Sequence, residues 1–214
     1  MYQALVIGLG TFGTALVSEL VSKGGQVVVI DQNSGRSDPV KDLVERVIVA
    51  DATNREVLAE YAKDIDCAIV AIGERVDSSI LVTYLLKELG VRRIIAKAVS
   101  EEHGKILKVV GANDVVFPER DEARRLATSL ISPDVLDFIK LSGDFSVVEI
   151  AVPERFVKQT IRGLDLRNKY GMQILAVKNA LTGAVQIMPT PDYELQADDI
   201  LVVIGEVSSL KQFR

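Results

Sequence analysis

An apolar run at the start of the chain breaks into Gly8-Leu9-Gly10-Thr11-Phe12-Gly13, and the next apolar run ends on Asp31. No other feature constrains the fold as strongly. Glycine at the first position permits a tight strand-to-helix turn, the second lets the backbone approach a pyrophosphate, and the third lets the helix pack closely on the strand. Phosphates would rest on the helix N-terminus, where unpaired N–H groups and the helix dipole favour negative charge. Glycines mark turns in many folds. The pattern gains its force here from the strand before it, the helix after it and the acidic residue beyond.

Short apolar runs then alternate with amphipathic segments over about 130 residues. The runs are Ala4 to Ile7, Val27 to Ile30, Val47 to Ala50, Ala68 to Ile72, Ile94 to Ala96 and Val115 to Phe117. Each is nearly continuous in Val, Ile, Leu or Ala, as suits parallel strands covered on both faces. Between them, Phe12 to Lys23, Arg55 to Lys63, Ser78 to Leu89 and Glu101 to Val110 read as helices. Six β-α units predict an α/β Rossmann fold with a doubly wound parallel sheet. Asn33 to Asp38, followed by Pro39, delays the second helix and leaves a loop beside the nucleotide.

The pattern changes at Ser132. Residues 133 to 144 read as a connector, with a helix-like stretch from Asp134 to Leu141 and a turn at Ser142-Gly143-Asp144. Strands follow at Ser146 to Val152, Gln173 to Lys178, Ala184 to Met188 and Ile200 to Ile204, with one helical stretch from Val157 to Asn168 and a hairpin loop from Asn179 to Gly183. Residues 145 to 214 are thus expected to form a second, smaller α+β domain after a nucleotide domain of residues 1 to 132. It is small enough that pairing with another copy would help it.

Composition narrows the partners. Thirty acidic against 25 basic residues leave a net charge of −5 and no general attraction for nucleic acid. No apolar stretch approaches the ~20 residues needed to cross a bilayer, and a single cysteine excludes an internal disulfide, so a cytoplasmic setting is expected. Cys67 reads as a small core residue rather than a reactive one. The sole histidine, His103, stands beside Glu101 and Glu102 and reads as a surface residue. An oxidoreductase on this fold would need an acid, a base or a cation near the nicotinamide, and the second domain offers neither His nor Cys. The nucleotide therefore reads as a signal rather than a reactant; a small NAD-dependent oxidoreductase is the alternative.

Asp31 is placed to accept the ribose 2′- and 3′-hydroxyls and would repel the 2′-phosphate of NADP, leaving ATP, ADP, AMP or NAD(H). Arg36 offers a cation near that ribose or is simply solvated. Asp51-Ala52-Thr53 follows the third strand and contacts the adenine, caps the next helix, or both. Ile72 and Gly73 close the fourth strand on the same edge. Lys97 ends the fifth strand and either meets the phosphates or is solvated.

Together, Gly8-Leu9-Gly10-x-Phe12-Gly13, Asp31, Asp51-Ala52-Thr53, Leu85 to Gly90, Ala96-Lys97-Ala98 and Pro118-Glu119-Arg120-Asp121 resemble the RCK (regulator of K⁺ conductance, KTN) family, and in particular its Ktr/Trk-type cytosolic subunits. Residues 135 to 214 resemble the TrkA-C domain of those subunits. The resemblance implies a cytoplasmic protein, peripheral to the inner face of the cell membrane. It would assemble as a ring of dimers, usually octameric, docked under a membrane potassium-translocating subunit and gating it when nucleotide changes the ring's shape. Relatives carry an arginine at the position of Thr11, where it reaches phosphate. Thr11 cannot offset phosphate charge, which favours NAD(H), ADP or AMP over ATP.

Glu119 matches a position near the phosphates at the dimer interface, where Mg²⁺, Ca²⁺ or Na⁺ bridges acidic groups; as a first-turn glutamate it also simply suits a helix N-terminus. In relatives that bind cyclic di-AMP, a C-terminal pattern aligns with Ile161, Asp165, Arg167, Gln173, Ile174 and Pro191. Arg162 and Gln173 depart from it, and a surface helix with a core strand is the other reading of the same residues.

Overall fold

In a computed structural model, described over residues 2–131, 135–142, 145–206 and 209, the chain divides into two compact units at Arg120/Asp121. The first unit runs β1 (Gln3–Ile7), α1 (Thr11–Ser22), β2 (Gln26–Asp31), β3 (Arg46–Val49), α2 (Arg55–Tyr61), β4 (Cys67–Val70), α3 (Val76–Glu88), β5 (Ile94–Lys97), α4 (Glu101–Val110) and β6 (Asp114–Val116). α5 (Pro118–Ile131) then leads into the second unit. All six strands are parallel, in the order β3-β2-β1-β4-β5-β6.

Why the strands read as unbroken apolar runs follows from burial. Ala4 and Val6 face one core with Val27, Val29, Cys67 and Ile69, against Val17 of α1. Leu5 and Ile7 face the other with Ile30, Val70 and Ile94, against Leu58, Val82, Leu86 and Leu107 of α2, α3 and α4. Each fully buried aliphatic contributes about 1.5–3 kcal/mol. Cys67 is one of these core residues, as expected, and burial pushes its thiol pKa up.

Two local expectations need correction in this unit. No α-helix follows β2 before β3. Asn33 Oδ1 accepts the Gly35 N–H and holds a 3-10 turn over Ser34–Arg36, and the expected helix is replaced by a connection over residues 32–45 that buries Val40 in the core. His103 is not on the surface: it is 3% exposed. The helical repeat puts His103, Gly104 and Leu107 on the inner face of α4, while Glu101 and Glu102 point outward.

The second unit is a five-stranded antiparallel sheet in the order β10-β9-β11-β8-β7. It comprises β7 (Val135–Ser142), β8 (Phe145–Ala151), α6 (Ile161–Leu164), α7 (Leu166–Tyr170), β9 (Gln173–Asn179), β10 (Val185–Ile187) and β11 (Asp199–Glu206). Val148, Ile150, Ile174, Leu201 and Val203 form its core with Leu164, Leu166 and Leu195. The stretch read as helix-like, residues 134 to 141, is instead β7 over its described part. It pairs with β8 through two register shifts, and that pairing overrides the local pattern. The Pro133-Asp134 and Gly143-Asp144 parts of the connector, like Ser132 before it, lie outside the described residues. The single helix expected from Val157 to Asn168 is broken at Asp165, whose backbone is left-handed (φ 47°, ψ 47°), into α6 and α7.

Candidate nucleotide site

The loops at the carboxyl ends of β1 to β5 converge with the start of α5 on a cleft of about 350 Å³. Gly8 turns the chain out of β1 with φ +99°, a conformation that favours glycine. Gly13 is required for a different reason, because a Cβ there would lie 2.0 Å from the Gly8 carbonyl oxygen. Gly10 is the extended N-cap of α1 and supplies no side-chain cap, and the first turn holds no acidic residue. The leading N–H groups of α1 thus face the cleft with the dipole's positive end, ready for an anion.

Asp31 is 7% exposed and binds the glycine turn as well as lining the cleft. Its Oδ2 accepts the Leu9 N–H at 2.6 Å and its Oδ1 accepts the Asn33 N–H at 2.8 Å. The carboxylate is thereby fixed while each oxygen keeps capacity for a ribose hydroxyl. At the end of β3, Asp51 Oδ1 accepts both the Thr53 N–H (2.9 Å) and the Thr53 hydroxyl (2.8 Å), and these bonds hold its carboxyl below the usual range. The cap of α2 is not in this trio: Asn54 Oδ1 accepts the Glu56 N–H. Asp51, Ala52 and Thr53 are left as cleft wall.

Lys97 crosses Gly73 and pairs with Glu119, and its Nζ lies 5.9 Å from the Phe12 ring centroid. The lysine side chain is 11% exposed and the glutamate 68%. Lys97 depresses the Glu119 pKa, though with one partner so exposed the pair contributes about 1 kcal/mol at most. Lys97 is therefore neither solvated nor free. Within one chain, Glu119 is engaged in this way and no three of His, Cys, Asp and Glu stand together to hold a metal among the described residues. A cation there would need oxygens from a phosphate or a second copy.

Of the expected set, Gly8, Gly10, Thr11, Phe12, Asp31, Asp51, Ala52, Thr53, Ile72, Gly73, Lys97 and Glu119 line the cleft. Leu9 and Gly13 do not. The Leu9 side chain is in the core, and Gly13 shapes the turn. Sequence reasoning missed Gln32, Glu74, Arg75 and Ser78, which also line it. Arg36 also lines the cleft and, at its solvent-exposed rim, bonds Glu74 at 3.1 Å. Gly73-Glu74-Arg75 reads in sequence as an ordinary polar turn, and only the sheet order brings it opposite Asp31 and Asp51.

A TrkA-N domain model matches residues 4–118 and a TrkA-C domain model residues 146–214. The Ktr system potassium uptake protein C of Bacillus subtilis is 38% identical over 209 residues, covering 97% of this chain and 94% of the relative. The chain belongs to the TrkA-N/TrkA-C family of Ktr-type potassium uptake proteins. Its likeness to the Ktr system potassium uptake protein A of the same organism is 34% over 212 residues, covering 99% of this chain and 95% of the relative. Among solved structures, the GsuK channel bound to NAD matches with a TM-score of 0.57 and 26% identity, covering all of this chain but only 38% of the channel chain.

In the TrkA-C unit of this Ktr-type chain, only two of the expected residues line one depression. Arg167 and Gln173 share an open depression with Phe145, Gly171, Met172, Ile204 and Gly205. Ile174 is core, Ile161 packs against that core, and neither Asp165 nor Pro191 lines the depression. Arg162, where relatives that bind cyclic di-AMP have an aliphatic, pairs with Asp192 at 3.0 Å.

Proposed function

We propose that this chain is a cytoplasmic nucleotide-sensing regulatory subunit of a potassium uptake system. It docks on a membrane potassium-translocating subunit as a ring of dimers, octameric by resemblance, and adenine nucleotide in the TrkA-N cleft sets the ring's shape. The observation that carries this reading is the pairing, in one cleft, of an uncapped α1 N-terminus with a buried, doubly anchored Asp31. The first suits a phosphate and the second a ribose. Names of full-length relatives link this architecture to potassium uptake, and a similar fold in GsuK binds NAD.

A ligand moves such a ring only if it binds two shapes unequally. Thr11 brings no charge to the phosphates, so ADP, AMP or NAD(H) fits the cleft better than ATP, and Asp31 opposes NADP. Mg²⁺, Ca²⁺ or Na⁺ at Glu119 would use the carboxylate oxygen that Lys97 does not engage, or compete with Lys97 for the other. Cyclic di-AMP at Arg167 of the TrkA-C unit is a secondary reading, because of the expected residues only Gln173 joins Arg167 in lining the depression there. No His or Cys lines the cleft among the described residues, which favours sensing over oxidoreductase turnover.

A thermal-shift titration with ATP, ADP, AMP, NAD⁺, NADH and cyclic di-AMP tests the reading, since any ligand that binds the folded state alone raises the melting temperature. Saturable stabilisation by an adenine nucleotide, without cofactor consumption and with ring-sized particles by light scattering, is expected. Stabilisation by none of them would sink the sensor; turnover of NADH with a substrate would favour the enzyme.

A further inference from the structure

His103, the only histidine of the chain, lies buried between α3 and the segment that joins β5 to α4. Its Nε2 is 2.8 Å from the Ser79 Oγ, and its Nδ1 accepts the Val99 N–H at 3.3 Å. A backbone N–H can only donate, so Nδ1 carries the lone pair and Nε2 the proton. Both partners border the cleft. Val99 lines it and lies with Lys97 against Gly73, while Ser79 adjoins Ser78, which lines it with a buried, unpartnered Oγ. The ring is held on a fixed turn, because Ser100 caps α4 by accepting the His103 N–H at 3.1 Å.

Protonation would keep one of the two ring bonds and undo the other. An imidazolium donates from both nitrogens, so Nδ1–H would face the Val99 N–H while Nε2–H still reached Ser79. The bond that fails is the one to the cleft wall. Among the described residues no charged group offsets an imidazolium there. Asp77, Lys87 and Glu88 on α3, Arg75 ahead of it, and Glu101, Glu102, Lys105 and Lys108 on α4 are exposed; Lys97 on β5 is turned to Glu119, and Arg120 on α5 to Glu101. Burial holds His103 below the ordinary histidine pKa.

We propose that His103 is a positioning residue of the nucleotide site through which nucleotide and proton compete: the neutral ring holds Val99 in the cleft wall, and proton uptake at Nδ1 releases it. The inference rests on the reading that the cleft binds adenine nucleotides. Linkage sets the direction of the effect. Nucleotide favours the neutral ring, so affinity is full above pH 6.5 and falls as pH drops below it, through the lowered pKa of the folded chain.

Calorimetric titration of NAD⁺ and ADP into the full chain and into His103→Gln, at pH 7.5 and 5.5, tests it. Wild-type affinity is expected to weaken about three- to tenfold more than that of the variant at the lower pH, since glutamine keeps a neutral donor and acceptor. Any titration of the ligand's own phosphate is common to both proteins. A histidine that serves folding alone would shift the melting temperature with pH and leave affinity equally pH-dependent in both proteins, a result that overturns the proposal. A second readout needs no variant, in case His103→Gln does not fold. The imidazole signals of the sole histidine report its pKa by NMR, and saturating nucleotide should lower that value; an unchanged or raised value overturns the proposal. If neither ligand binds the wild-type chain at pH 7.5, the cleft's nucleotide reading fails first, and the two failures are thereby distinguished.

Discussion

In the TrkA-N unit every strand ends toward the same edge of the sheet, so the loops after β1 to β5 converge on one cleft. In the TrkA-C unit successive strands run in opposite directions, and of the residues expected to bind together only Arg167 and Gln173 line one depression, while Ile174 is in the core. The depression around Arg167 is as roomy as the cleft, at about 410 Å³. Volume therefore does not distinguish them. What does is donor geometry: α1 presents a 12-residue dipole to the cleft, whereas α7, of five residues, has little to present. A parallel sheet builds a site by topology; an antiparallel one must build it side chain by side chain.

The sharpest way to break the comparison is to add one methyl group to each unit. Gly13→Ala puts Cβ against a backbone oxygen that cannot yield, and should cost about 3 kcal/mol in urea unfolding and abolish nucleotide stabilisation. Gly205→Ala meets the buried Met172 Cγ at 2.9 Å and the Gly171 carbonyl oxygen at 3.1 Å, milder contacts than the one at Gly13, and should cost about 1–2 kcal/mol and leave nucleotide binding intact. Similar losses from both would contradict the account of the turn.

Next in size is Thr11→Arg. A guanidinium at the α1 N-terminus should raise ATP affinity relative to ADP by about tenfold in calorimetry, the worth of one charge-assisted bond. An unchanged ratio would remove Thr11 as the determinant.

The units should also differ in pH response. Val99 N–H donates to His103 Nδ1 (3.3 Å), which leaves the proton on Nε2 for Ser79, and burial pushes the imidazole pKa below 6.5. The unfolded chain therefore takes up the proton first as pH falls. Stability from neutral His103 is present above pH 6.5 and declines below it, toward the lowered folded pKa. Asp51 and Glu119, whose pKa values are depressed, lose their contributions only as pH falls below about 4. Denaturant melts between pH 7 and 5 should show the decline, and His103→Gln should flatten it. The smallest effect belongs to Arg167→Ala: being exposed, it should change stability by less than about 0.5 kcal/mol, yet remove any saturable cyclic di-AMP signal in filter binding.

Legibility in the sequence follows the same division. The glycine turn, Asp31 and the six parallel strands were readable because each depends on neighbours in the chain and on continuous apolar runs. β7 was not, because its state is decided by hydrogen bonds to β8. Asp165 was not, because the residue that interrupts the helix with a left-handed backbone is an aspartate, neither Gly nor Pro. His103 was misread although the signal was present: its spacing from Leu107 is that of one helix face, and the flanking glutamates distracted from it. In the cleft, the Asp31 anchor on Leu9 and the orphan Ser78 were invisible because both depend on side-chain geometry across 22 residues or across the sheet.

The account's central claim is that Asp31 and the α1 N-terminus form one adenine nucleotide site. Calorimetric titration of AMP and ADP into the wild-type chain and Asp31→Asn tests it most directly. Saturable binding at one site per chain, weakened at least about tenfold by a substitution that removes the charged ribose acceptor, is the predicted result. Equal affinity in both proteins, or no saturable binding by the wild type, would contradict it.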